Sequence, residues 1–216
     1  AEALFWGAFI NNGQTCLAIK RLFVHADIYD EMCAALVQIA TSMPMGDGLD
    51  EGNIFGPIQN AAQYTKVYEL VEDAINAGGR ILCGGLPSND MKAGKSGGFF
   101  FPLTIIADAA AGMRVVDEEQ FGPVLPIIKY TDVDAAIASA NDCELGLGGS
   151  IWSNDIEQAA ALASQLECGS VWVNNHGQVL PHIPFGGVKQ SGLGVEFGEE
   201  GLLAYTRSQA LVMPNL

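Results

Sequence analysis

The chain has 216 residues, with 49% hydrophobic and 16% charged, and its 10 basic and 25 acidic residues give a net charge of −15. That length and composition suit one sizeable folded domain, alone or with an appendage, and argue against a disordered chain. The acidic excess repels phosphate backbones and anionic lipid surfaces, which argues against nucleic-acid and membrane partners.

In chain order, residues 3–14 read as a helix that ends near Asn11-Asn12-Gly13, and Arg21 to His25 as a strand. Asp27 is placed to cap a helix running to about Met43, with Met32, Leu36, Ile39 and Ala40 on one face. A Gly/Asp/Pro loop, 45–57, follows. Asn60 then caps a helix with Val67, Leu70, Val71, Ala74 and Ile75 on its apolar side, stopped by Gly78-Gly79. Residues 80–83 form a short strand and 86–98 a solvated loop. Phe99 to Ile106 and Val124 to Tyr130 are β-like, and Asp132 to Asp142 is helical. Gly149 to Trp152 is a strand, and Asn154 caps a helix to about Leu166. Ser170 to Val173 is almost continuously apolar, as in the middle of a covered parallel sheet. A Pro/Gly-rich stretch, 174–194, a helix over 199–205 and a last strand over 209–213 complete the chain. The alternation predicts an α/β fold with a mostly parallel sheet covered by helices, without a sharp domain boundary.

Gly94-Lys95-Ser96 has the end of a phosphate-binding loop but lacks its first glycine, since position 89 is Asn89. Gly192, Gly194 and Gly198 have the wrong spacing for a dinucleotide fingerprint. His25, His176 and His182, apart from carboxylates in sequence, read as structural. Cys16, Cys33, Cys83, Cys143 and Cys168 contain no Cys-x-x-Cys pair, so no metal site is expected. Reduced thiols, no apolar run of roughly 18 residues and no signal segment indicate a cytoplasmic protein. Ala1 in place of Met predicts a processed chain or a piece of a longer one.

Three segments concentrate chemistry. Cys16 follows a helix end and a Gly turn, where a thiol is exposed near free backbone N–H groups. By itself this suits a small buried cysteine better than a nucleophile, and the other four, inside helix or strand patterns, read as core filler. Glu118 to Pro123 leaves a carboxylate and an aromatic ring at the entrance of a strand, fit for a sugar diol and a flat heterocycle. Pro184 to Gly192 is a glycine-rich loop after the strand at 170–173, where ligands gather in parallel sheets.

Taken together, Gly13-Gln14-Thr15-Cys16, Glu119-x-Phe121-Gly122-Pro123 and Pro184-Phe185-Gly186-Gly187-x-Lys189-x-Ser191-Gly192 closely resemble the catalytic, C-terminal half of the NAD(P)-dependent aldehyde dehydrogenase superfamily. The resemblance covers essentially the whole chain. It implies a catalytic domain over 1–207 and an oligomerisation strand over 208–216, in a homodimer or homotetramer. It implies that Cys16 attacks a small-molecule aldehyde to give a thiohemiacetal. Hydride then leaves to NAD or NADP, and water hydrolyses the resulting thioester. The Cys16 N–H would be one oxyanion donor. Glu119 would hold the nicotinamide ribose and Phe121 the nicotinamide side, with Gln63 and Lys66 approaching the ribose. Glu196 matches a carboxylate linked to proton relay, or else a structural one. Asn174, Val179 and Phe185 would line the aldehyde channel, Val179 leaving it wider than an aromatic would. The dinucleotide-binding half, a second oxyanion donor and the deacylation base are not among these motifs, so these residues alone are expected to be inactive. The alternative is a non-catalytic oligomerising domain that keeps the fold.

Overall fold

In the computed structural model, which describes residues 1–87 and 98–214, the chain forms two compact units, Ala1–Asp142 and Cys143–Leu216. No such division is apparent in the sequence. Its residues, Asn141 to Gly146, look like an ordinary helix end and turn.

The first unit contains α1 (Glu2–Phe9), β1 (Leu22–His25), α2 (Tyr29–Ser42), α3 (Ala61–Asn76), β2 (Arg80–Cys83), β3 (Thr104–Ala107), α4 (Arg114–Asp117), β4 (Val124–Tyr130) and α5 (Val133–Asn141). Its sheet has the order β1-β4-β3-β2, parallel at β1–β4 and β4–β3 and antiparallel at β3–β2. The sheet is therefore mixed. Successive strand residues face opposite sides, and the two sides bury different cores. Ile105 and Leu125 join Phe5, Phe9 and Leu36 of α1 and α2. Their neighbours Ile106 and Val124 join Val67, Val71, Val115 and Val116 of α3 and α4.

Tyr29 ties α2 to this sheet. Fully buried, its hydroxyl donates to the Ile127 carbonyl at 3.2 Å and accepts from the Asp108 N–H at 2.8 Å. Burial pushes the phenol up to about 12, so it stays a neutral donor and acceptor.

Several local expectations are corrected. Asp27 does not cap α2. A 3-10 turn, Ala26–Ile28, intervenes, and His25 Nδ1 accepts from the Asp27 N–H at 3.3 Å. His25 also lies 3.5 Å from the Asp27 carboxylate, so it is not apart from carboxylates. Asn60 does cap α3, accepting from Gln63 N–H at 2.9 Å, but Ile75 is exposed. β3 begins at Thr104 and not at Phe99. Phe101 packs as a buried loop residue against Tyr64, because Pro102 cannot donate to a ladder. Gly94-Lys95-Ser96 and most of the loop 86–98 lie outside the described residues.

The second unit contains β5 (Leu145–Gly146), β6 (Gly148–Ile151), α6 (Ile156–Ala163), β7 (Ser170–Val173), β8 (Val188–Lys189) and α7 (Gly198–Leu203). β6 and β7 pair in parallel under α6, and β5 pairs antiparallel with β8. Asp155, not Asn154, caps α6, accepting from Gln158 N–H at 3.0 Å. β7 is half-buried and pairs only with β6 among the described residues, so it is not the covered central strand that its composition predicts. Residues 206–214 carry no regular structure and are exposed, so the strand expected over 209–213 is not formed here. An isolated edge segment has no ladder to complete within its own unit. Cys143 and Cys168 lie in turns and not inside helices or strands.

Candidate active site

Cys16 is exposed. The chain reaches it through a 3-10 turn, Ile10–Gly13, in which Asn11, Asn12 and Gly13 all adopt left-handed backbone angles (φ 51, 57 and 67°). Asparagine and glycine tolerate that region best. The buried Asn12 amide donates to the Gly56 carbonyl, and Gln14 Oε1 accepts from Gln59 N–H at 2.9 Å. Beyond the cysteine, Ile19 N–H donates to the Gly7 carbonyl at 2.9 Å. The thiol therefore stands on a turn pinned at both ends. No acceptor for the Cys16 backbone N–H is present among the described residues.

The turn packs directly against the Glu119–Gly122 loop. A Cβ on Gly13 would lie 2.3 Å from the Gly122 carbonyl oxygen. The two adjacent carboxylates of that loop have different fates. Glu118 pairs with Arg114 at 2.6 and 3.2 Å, and this hydrogen bond holds its carboxyl below the usual range. Glu119, half-buried, accepts no hydrogen bond among the described residues. Phe121, also left-handed (φ 48°), is half-buried. Gln63 Nε2 donates to the carbonyls of Gln120 (2.6 Å) and Phe121 (3.1 Å), so this amide shapes the loop. Gln120 is fully buried and donates to the carbonyls of Lys20 and Val115.

Lys20 is the residue that sequence reading passes over. Its ammonium donates to the Gly13 carbonyl at 2.5 Å and sits 4.8 Å from the centre of the Phe121 ring. Burial pulls it down to about 8, opposed by the charges of Glu119 and Cys16 and reinforced by Lys66. The available signal is a lysine four residues after Cys16, which in Lys20-Arg21 looks like an ordinary solvated pair.

In the second unit, Val179 and Phe185 line one recess of about 290 Å³ with Trp172, Leu180, Ile183 and Pro184. Phe185 and Glu196 exchange both backbone hydrogen bonds at 2.8 Å, which leaves the Glu196 side chain exposed. Asn174 uses both ends of its amide on the Ser153 backbone, at 2.9 and 2.8 Å, and does not line that recess. His176 Nδ1 lies 3.0 Å from the Ser150 hydroxyl, and no metal-binding cluster occurs among the described residues. Another recess, of about 210 Å³ in the first unit and lined by Ala40, Met43, Met45 and Cys83, includes none of these groups.

The model of the aldehyde dehydrogenase family matches residues 1–211. This chain belongs to the aldehyde dehydrogenase family. Aldehyde dehydrogenase LUC3 of a Fusarium species is 41% identical over 207 residues, covering 96% of this chain and 43% of that protein. A mitochondrial aldehyde dehydrogenase of Leishmania tarentolae is 36% identical over 211 residues, 98% of this chain and 41% of its own length. The crystal structure of aldehyde dehydrogenase C from Pseudomonas syringae, a mutant in complex with NAD+ and octanal, superposes with a TM-score of 0.89 at 35% identity, covering 98% of this chain and 43% of that one. The chain thus spans less than half the length of these aldehyde dehydrogenases and has their α/β fold. Because one of them is mitochondrial, family membership carries no compartment with it. No described helix is long and apolar enough to cross a membrane.

Exposure separates the thiols. Burial raises Cys33 and Cys83, which keeps them protonated and slow as nucleophiles. Limited alkylation at neutral pH with peptide mapping is expected to label Cys16 about tenfold faster than either. Faster labelling of any of the other four cysteines would remove Cys16 from the nucleophile's place.

Proposed function

We propose that this chain carries the nucleophile-bearing catalytic part of an NAD(P)-dependent aldehyde dehydrogenase that oxidises an aldehyde to a carboxylic acid. One observation supports this above the others: an exposed cysteine with an unused backbone N–H stands on a pinned turn, packed against a loop that carries a half-buried carboxylate with no hydrogen bond among the described residues and an aromatic ring. A half-buried carboxylate without hydrogen-bond partners suits a ribose diol, and a ring suits a flat heterocycle, so the residues fit the nicotinamide end of a dinucleotide. NAD or NADP, when bound, supplies the hydride acceptor.

Cys16 Sγ, as thiolate, attacks the aldehyde carbon, and the carbonyl π electrons move onto oxygen. The Cys16 N–H stabilises that oxyanion. Loss of hydride leaves a thioester on Cys16, and water releases the acid and restores the thiol. Sulfur suits both halves, being a strong nucleophile and a good leaving group. Glu119 orients the ribose hydroxyls and Phe121 steadies the nicotinamide side, with Lys66 and Gln63 at the ribose. Gln63 acts there chiefly through the loop it braces. Glu196 serves proton relay, Val179 and Phe185 wall the aldehyde channel, and Asn174 supports it through its amide on the Ser153 backbone. The exposed Leu211, Val212 and Met213 favour assembly into a dimer or tetramer, with 209–213 completing another copy's sheet. Pyrophosphate binding and the deacylation base are assigned outside these 216 residues.

The test is NADH or NADPH formation from a panel of aldehydes, by this chain and by the full-length protein. Full-length turnover is expected, with the 216-residue chain at least about tenfold slower, because one oxyanion donor alone typically costs on the order of 100-fold. Absence of turnover by the full-length protein with every aldehyde and both cofactors would favour a non-catalytic oligomerising role. Equal turnover by the short chain would place the missing groups within it.

A further inference from the structure

We propose that Lys20 is a positioning residue for the cofactor-facing loop, its ammonium fastening the Phe121 ring, beside Glu119, to the Gly13 carbonyl of the turn that presents Cys16. The inference rests on the reading that Glu119 and Phe121 face the nicotinamide end of the cofactor. It assigns the loop's geometry to a group outside that reading.

The geometry supports it from several sides. The ammonium hydrogen-bonds a main-chain carbonyl of one segment and lies over an aromatic ring of the other. The Lys20 carbonyl accepts from the buried Gln120 amide at 3.2 Å, so main chain and side chain both grip the same loop. Phe121 holds a left-handed backbone angle that an L-residue keeps only when its surroundings hold it there. Gln63 braces the loop's carbonyls from α3, which leaves its ring and carboxylate to Lys20. The charged or titratable groups facing the ammonium are Glu119, Cys16 and Lys66.

The site also carries an energetic signature. Burial lowers Lys20 from 10.5 to about 8. Between those values the folded chain holds fewer protons than the unfolded one, so this group's contribution to stability rises with pH across that window. Below about pH 8 the charged lysine is kept in place at a cost. Residues retained at a cost to stability gather where a function needs them.

The experiment uses the full-length protein and reads equilibrium NAD+ binding by calorimetry without aldehyde. Lys20→Met keeps the chain's bulk and removes the charge. It is expected to raise the melting midpoint at neutral pH by a few degrees and to weaken NAD+ about five- to tenfold, the range of a lost cation–π grip. Wild-type affinity should fall as pH rises from about 7 to about 9.5, because the ammonium deprotonates near 8. Lys20→Arg, charged throughout, should bind NAD+ without that fall. Glu119→Ala is the control for the underlying reading and should weaken NAD+ by itself. If Glu119→Ala weakens binding while Lys20→Met leaves both the affinity and its pH dependence as in wild type, the Lys20 proposal is overturned and the cofactor reading stands. If Glu119→Ala has no effect, the cofactor reading falls and the proposal falls with it.

Discussion

Replacing Cys16 with alanine is expected to reduce aldehyde oxidation by the full-length protein on the order of a million-fold, the scale of losing a covalent nucleophile. The thiol is exposed, so its removal opens no cavity and breaks no core contact. The melting midpoint should move by no more than about 1 °C, as for other surface truncations. That separation gives the test its force, because a loss of rate cannot be charged to misfolding. Cys16→Ser keeps a nucleophilic atom but makes a weaker attacker and a poorer leaving group, and it should stay within about tenfold of the alanine variant. NAD+ affinity should change little in either. Turnover by Cys16→Ala within tenfold of wild type would refute covalent catalysis at this residue.

Gly13→Ala should be among the most damaging small substitutions in the first unit, alongside Gly84→Ala. Gly13 lies at φ +67°, where a side chain costs about 1–2 kcal/mol. The added methyl would also meet the Gly122 carbonyl oxygen at 2.3 Å, its carbon at 2.9 Å and the Ala8 carbonyl oxygen at 3.2 Å. These are backbone atoms in two packed segments and cannot turn aside as a side chain would. Overpacking of this kind adds about 1–3 kcal/mol, a total near 3–4 kcal/mol. In a chain of this size that lowers the midpoint by roughly 10 °C. Gly78→Ala provides the comparison, since Gly78 also has positive φ (+93°) but nothing stands within 4 Å of its absent Cβ. It should lose only the conformational part. Equal losses in the two variants would show that the nucleophile turn and the Glu119 loop are not in close contact.

What the sequence makes legible here is mostly local. Val124–Tyr130 is found at its full length because an apolar run follows a Gly-Pro turn. The cap at Asn60 is found because a capping asparagine and its partner Gln63 are three residues apart. Cys16, Glu119 and Phe121 are singled out by motif, and the structure packs their two segments together through Gly13 and Gly122. Most of the misses depend on distant partners. Whether Ser170–Val173 is central or half-covered depends on which strands flank it, and composition carries no such information. The segment 209–213 has the residues of a strand, yet a strand needs a neighbour. Lys20 matters through Phe121 and Glu119, about a hundred positions away, and nothing beside it in the chain announces them. Asp155 displaces Asn154 as a cap because two adjacent residues were both suitable, and only the geometry of the turn chooses between them.

The parallel pairing of β1 with β4 joins Leu22 to Ile127, and this separation sets a schedule for biosynthesis. Translation at roughly 5–20 residues per second means that about 5–20 s pass between the synthesis of the first partner and that of the second. During that interval Leu22 and Val24, buried in the finished sheet, have no native ladder to join. The Gly122 backbone against which the nucleophile turn packs is made only a few residues earlier than Ile127. A nascent chain stopped short of residue 120 therefore contains Cys16 but cannot build its surroundings. Such a chain would present a thiol and an unpaired apolar strand to chaperones before it presents anything to an aldehyde.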